Sequence, residues 1–178
     1  SSLASYAEYQ RERAWTWEHQ ALVRARFVAG HDVMAAAFED VRRDILATPR
    51  DPAKLHDDVL SMRRRMRTEL DRTAGDRFDL KQGAGGLVDL EFLLQWLVLR
   101  EAATRPALLA PRATPLLLEA AGAEGLLDAG TSAGLRAAHA TLLELGLGCT
   151  LDRRTRIVAE TPELNAARET IRCAADWS

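Results

Sequence analysis

Lysine is almost missing from this sequence: Lys54 and Lys81 are the only two among 24 basic residues. The arginine that takes its place reflects codon usage and carries no functional weight. Net charge is −2, so the basic excess that nucleic-acid binding usually requires is absent. Aromatic residues make up 6% of the chain and runs of β-branched residues are scarce, which argues against an extensive sheet. The two cysteines, Cys149 and Cys173, have no metal-ligand spacing, and a reduced, cytoplasmic setting is the expectation. Ser1 begins no signal peptide, and no apolar run reaches the ~18 residues of a membrane span. Neither a repeat of fixed period nor a low-complexity segment interrupts the chain.

What remains is rich in Ala, Leu, Arg and Glu, the strong helix formers. Hydrophobic residues make up 47% and charged residues 28% of 178 positions, an ordinary globular balance. That length suits one domain over 1–178, divisible into halves 1–76 and 77–178, with enough chain to bury a core.

Periodicity and capping residues predict seven or eight helices. Ser2 caps the first, through Leu3, Tyr6 and Tyr9. Thr16 starts the second, with Trp17, Ala21, Ala25 and Val28 as its buried stripe and Gly30 as its stop. Asp32 opens the third, with Met34, Phe38, Val41 and Ile45 inward. Asp51-Pro52 opens the fourth, whose face is Leu55, Val59, Met62, Met66 and Leu70. Arg77 to Lys81 reads as extended, and Gly83 to Gly86 as a turn. Leu87 to Ala103 is apolar on nearly every side, the mark of a helix at the centre of a bundle. Thr114-Pro115 begins a short helix, and Gly130-Thr131-Ser132 caps the next, with Leu135, Ala138, Leu142, Leu145 and Cys149 inward. Asp152 to Ile157 is a charged connector. Thr161-Pro162 opens the last helix, which buries Leu164, Ala167, Ile171 and Ala174. The fold class is all-α, a multi-helix bundle around a central apolar helix.

Few constellations carry chemistry. The loop from Lys81 through Gly83, Gly85 and Gly86 precedes a helix start, where backbone amides can face an anion. Its spacing fits neither a P-loop nor a dinucleotide fingerprint, and sequence mechanics alone favour a tight turn. Asp89 and Glu91 follow in the first turns, but residues two apart on a helix point about 200° apart and cannot easily share one metal ion. Favourable interaction with the helix dipole is their plainer role. Arg24 and Arg26, after a tryptophan-rich helix, suit bidentate contact with a phosphate or carboxylate as well as simple solvation. Trp15 and Trp17 read as core. Arg63, Arg64, Arg65 and Arg67 read as a solvated face with Asp57, Asp58 and Glu69 in reach. The four histidines have no spacing that builds a metal site.

Two stretches add a resemblance. Arg13-Ala-Trp-Thr-Trp-Glu-His-Gln-Ala-Leu-Val-Arg-Ala-Arg26 and Arg77-Phe-Asp-Leu-Lys-Gln-Gly-Ala-Gly-Gly-Leu-Val-Asp-Leu-Glu-Phe92 resemble the glutamine synthetase adenylyltransferase/deadenylylase family. The similar part of that family is the helical region after its C-terminal, adenylylating nucleotidyltransferase domain. Val41 to Ile45 and Met62 to Met66 fit the same region. The likeness is close over residues 1 to 103 and loose beyond. The glycine–aspartate stretch is also similar to the uridylyltransferases that modify the PII protein.

The resemblance implies a parent enzyme with two nucleotidyltransferase units joined by helical regions. One attaches AMP from ATP, with Mg²⁺, to a tyrosine of glutamine synthetase. The other removes it by phosphorolysis, PII and glutamine setting the balance. Catalysis in that family needs a Gly-Ser turn and paired aspartates that hold two metals, and this sequence has neither. Ser1-Ser2-Leu3 resembles the stretch just after that catalytic domain. The expectation is therefore a helical accessory domain that catalyses nothing alone and binds no cofactor itself. ATP and Mg²⁺ belong to the parent. Arg24, Arg26, Lys81, Gly83, Gly85 and Gly86 would meet nucleotide or the upstream domain, while Asp89 and Glu91 would be structural caps. Glutamine synthetase and PII are the implied partners, with no nucleic acid or membrane. The alternatives are a module that receives PII or glutamine, and a self-standing nucleotide-binding protein.

Overall fold

The structure, a computed structural model, describes residues 2–175. Among them are eight α-helices. The first four are α1 (Leu3–Glu12), α2 (Thr16–Arg24), α3 (Asp32–Leu46) and α4 (Pro52–Leu70). They are followed by α5 (Leu87–Glu101), α6 (Thr114–Ala123), α7 (Ala129–Leu151) and α8 (Pro162–Ala174). A 3-10 turn at Pro106–Leu109 joins α5 to α6. The class is all-α, as the composition predicts.

Local chemistry sets most of the helix starts. The Ser2 hydroxyl accepts from the Ser5 N–H at 3.1 Å, and the Asp51 carboxylate from the Lys54 N–H at 2.7 Å. Thr161 accepts from the Leu164 N–H at 3.2 Å, and Pro52 and Pro162 stand at first helical positions. Helix α7 starts earlier than its glycine-threonine-serine stretch suggests. Asp128 is its cap and accepts from Thr131 through both the backbone N–H (2.9 Å) and the hydroxyl (2.6 Å). The carboxylate lies three residues before those donors, where a cap belongs, and Thr131 becomes its partner.

Helix α5 is the axis. Leu90, Leu94, Leu97, Val98 and Leu99 are buried, and α2, α4, α6, α7 and α8 all pack against it. Each fully buried leucine contributes about 1.5–3 kcal/mol. The segment read as a charged connector ends in a strand: β1 (Arg77–Asp79) pairs antiparallel with β2 (Ile157–Ala159), Phe78 opposite Val158. Three residues are too few for an alternating pattern to show. The pairing ties the glycine turn to the base of α8.

The buried stripe expected on α2 is not the one observed. Trp17 is 48% exposed, Trp15 71% and Val28 83%, while Leu22 and Val23 are buried. The helix stops at Arg24, and Ala25 is extended (φ −66°, ψ 140°). The reason lies on α3. Arg42 is fully buried and donates at 2.8 Å to the carbonyls of Leu22, Val23 and Leu109. Carbonyls that a helix end leaves unsatisfied are thus supplied with donors, and α2 need not continue to Gly30. Met34 and Leu70, expected inward, are both 46% exposed. Cys149 is buried and Cys173 exposed, and no disulfide joins them.

Candidate functional site

The glycine turn is built from its own hydrogen bonds. Asp79, 7% exposed, accepts from the N–H groups of Lys81 (2.9 Å) and Gln82 (3.0 Å) through one carboxylate oxygen. Gly83 N–H donates to the Asp79 carbonyl, Gly86 N–H to the Gly83 carbonyl and Leu87 N–H to the Leu80 carbonyl. Gly85 N–H donates to Asp89 Oδ2 at 2.6 Å. Gly85 has φ +81°, and a Cβ there would run into the Arg168 backbone. A Cβ on Gly83 would come within 2.7 Å of the Asp79 carbonyl oxygen. The glycines therefore serve close packing, and the amides at 81, 82, 83, 85, 86 and 87 are committed within the turn. The Lys81 side chain is exposed.

Asp89, in the first turn of α5, accepts four hydrogen bonds from three donor groups. Arg63 Nε reaches Oδ1 at 2.5 Å, and Arg67 Nη2 lies 2.8 Å from both oxygens. The Gly85 N–H gives the fourth. Arg63 continues to Gln82, donating to its carbonyl at 2.7 Å and its side-chain oxygen at 3.3 Å. The arginine run read as solvated thus sends one member inside: Arg63 is 1% exposed. The physical reason is the facing carboxylate, which neutralises a guanidinium that α4 carries on the same side as Leu55 and Val59. Asp89 reaches back to the N–H of Gly85, the residue before the N-cap Gly86.

Glu91 forms an ion pair with Arg24 of α2. Two residues apart on α5, the two carboxylates leave the helix in opposite directions, and each looks into its own cleft. On the Glu91 side a cleft of about 450 Å³ is lined by Arg24, Lys81, Glu91, His139, Arg156 and Leu143, among others. On the Asp89 side Arg63, Arg64 and Arg67 of α4 face Glu169 and Arg172 of α8 across a cleft of about 420 Å³. The structure therefore brings Arg24, Lys81 and Glu91 together. It leaves Arg26 exposed on the extended chain after α2 and places Gly83, Gly85 and Gly86 in the buried turn.

His139 and Arg156 were not foreseen. They arrive from α7 and from the residue before β2, more than fifty positions from Arg24 and Lys81, and no local pattern marks them. Burial pushes the His139 imidazole below its ordinary 6.5; Glu91 opposes that shift and Arg24 adds to it. Both clefts present more guanidinium and ammonium groups than carboxylates. Among the described residues no group of three or more His, Cys, Asp or Glu is placed to hold a metal ion. Asp89 is saturated by Arg63, Arg67 and Gly85, and Glu91 is taken by Arg24. The pair does not fit a Mg²⁺ site. No helix among the described residues is long and apolar enough to cross a membrane.

Comparison with known proteins places this architecture. A family model described as glutamate-ammonia ligase adenylyltransferase matches residues 1–41, and one described as GlnD PII-uridylyltransferase matches residues 59–155. The bifunctional glutamine synthetase adenylyltransferase/adenylyl-removing enzyme of Xanthomonas campestris pv. campestris (strain B100) is 60% identical over 176 residues. That is 99% of this chain and 19% of the relative. The enzyme of the same description from Stenotrophomonas maltophilia (strain K279a) is 59% identical over 98% of this chain and 19% of its own length. That of Chromobacterium violaceum is 42% identical over 94% of this chain and 19% of its own. The likeness thus continues well past residue 103, where the motifs alone become sparse. The chain spans about one fifth of the length of these relatives, and it belongs to the family of bifunctional glutamine synthetase adenylyltransferases/adenylyl-removing enzymes.

Proposed function

We propose that this chain is a non-catalytic helical domain that docks and supports the nucleotidyltransferase unit which adenylylates glutamine synthetase with ATP and Mg²⁺. The observation that carries this is the placement of exposed apolar side chains. Trp15, Trp17, Phe27, Val28, Val33 and Met34 are all exposed, and all fall within the stretch matching the adenylyltransferase model. Large apolar groups clustered in one exposed stretch suit a surface that another body covers. Arg26 lies in the same stretch, and Lys81 lines the Glu91-side cleft, so both are available to the neighbouring unit. The turn glycines act by holding Lys81 in place.

The test is a full-length enzyme carrying Trp15→Ala with Trp17→Ala, compared with Lys81→Ala and Arg26→Ala. Adenylylation should fall about tenfold or more for the tryptophan pair and less for the single charges, with thermal melting little changed. Wild-type rates in all three would overturn the docking role. A second reading, reception of PII, is favoured by the match of residues 59–155 to a PII-uridylyltransferase model. Capture of PII, in unmodified or uridylylated form, by the wild-type chain would support it.

A further inference from the structure

The cleft on the Asp89 side has a charge problem that the protein does not solve internally. Four guanidiniums, those of Arg63, Arg64, Arg67 and Arg172, share it with two carboxylates, Asp89 and Glu169. Asp89 is 3% exposed, and both its oxygens already accept two hydrogen bonds, so it has no further acceptor capacity. It is one negative charge set against two arginines, one of them fully buried. Arg172 pairs with Glu169 at 3.1 Å. Arg64 has no side-chain partner among the described residues, and the Arg67 Nε is buried without an acceptor. A buried donor without an acceptor is unfavourable, and an anion beside it relieves that. Arg64, exposed to solvent, is available to the same anion.

We propose that this cleft is a binding site for a phosphoryl group, held between α4 and α8 by Arg64, Arg67 and Arg172. The arginines approach from two helices on opposite walls. A carboxylate has two oxygens and satisfies one fork; a phosphoryl group presents three and bridges both walls. A volume of about 420 Å³ accommodates inorganic phosphate, pyrophosphate or the phosphates of a nucleotide. Asp89 has the positioning role: by gripping Arg63 and Arg67 it fixes the α4 wall. The site is separate from the Glu91-side cleft, which lies across α5.

The experiment is isothermal titration calorimetry on the full chain in chloride buffer, with inorganic phosphate, pyrophosphate, ATP and acetate as four separate titrants. Arg64→Ala and Arg172→Ala are the test variants, since both side chains are exposed and their loss leaves the core intact; matched melting curves check that. Saturable one-to-one binding of phosphate or pyrophosphate is expected, weakened about tenfold or more in either variant. A preference for ATP over both inorganic anions would identify the phosphoryl group as a nucleotide's. Arg24→Ala should leave binding unchanged. Absence of binding at millimolar phosphate and pyrophosphate, equal binding of acetate, or loss of binding in Arg24→Ala but not in the test variants would each overturn the proposal.

Discussion

Asp89 and Glu91 are separated by one residue on the same helix, yet they live in opposite regimes. Asp89 is 4% exposed at its side chain and sits among two arginines and a backbone amide; Glu91 is 34% exposed and has one arginine, itself 45% exposed. The first is part of the fold, because its removal would strand a buried guanidinium. The second is a screened surface pair, where ion pairing contributes little. Helical geometry alone separates them, and the same geometry gives the domain one cleft on each side of α5.

Substitution can break this contrast. The largest effect belongs to Asp89→Ala, which leaves Arg63 buried and unpaired: a loss of about 3–5 kcal/mol is expected, read as a lower denaturant midpoint. Asp89→Asn should recover part of this by keeping one acceptor oxygen for Arg63. Next is Gly85→Ala. The positive φ is unfavourable for alanine by about 1–2 kcal/mol, and contact with the Arg168 backbone adds to it. That variant should also loosen the amide that Asp89 grips, seen as faster hydrogen exchange of the backbone N–H at position 85. Glu91→Gln should change stability by less than about 1 kcal/mol, but it removes the charge that raises the His139 proton affinity. The His139 imidazole, already below 6.5 through burial, should titrate lower still by NMR.

The smallest effect is on pH dependence. The unfolded chain takes up a proton at His139 near 6.5, whereas the folded chain resists until a lower pH. The contribution of neutral His139 is therefore complete above pH 6.5 and is lost as pH falls from there toward the folded value. Glu91→Gln should extend that loss to lower pH, and His139→Asn should flatten it. Both are measurable from urea midpoints across mildly acidic pH.

Much of the fold was legible because its signals are local. Ser2, Asp51-Pro52 and Thr161-Pro162 mark helix starts by chemistry within four residues, and the apolar run from Leu87 marks the axis by composition. The errors have a common physical origin in long-range partners. Trp17 lies on a plausible apolar stripe, but Arg42, twenty positions beyond Leu22, decides where α2 ends. Arg63 looks like its arginine neighbours until Asp89, twenty-six positions away, draws it inside. The divergence of Asp89 and Glu91 followed from helix geometry, whereas the convergence of Arg156 and His139 on Lys81 did not. Their meeting depends on the β1–β2 pairing and on α7 lying across α5, neither of which a short-range pattern encodes.

Arg42 also makes the domain mechanically continuous. One guanidinium clamps the end of α2 and the 3-10 turn that leads to Pro115, so the tryptophan surface and the wall of the Glu91-side cleft share a rivet. Tilting α2 against a neighbouring body would have to break the charge-assisted hydrogen bonds of a fully buried guanidinium. Force applied at Trp15 and Trp17 is therefore handed on to the cleft rather than absorbed by a hinge.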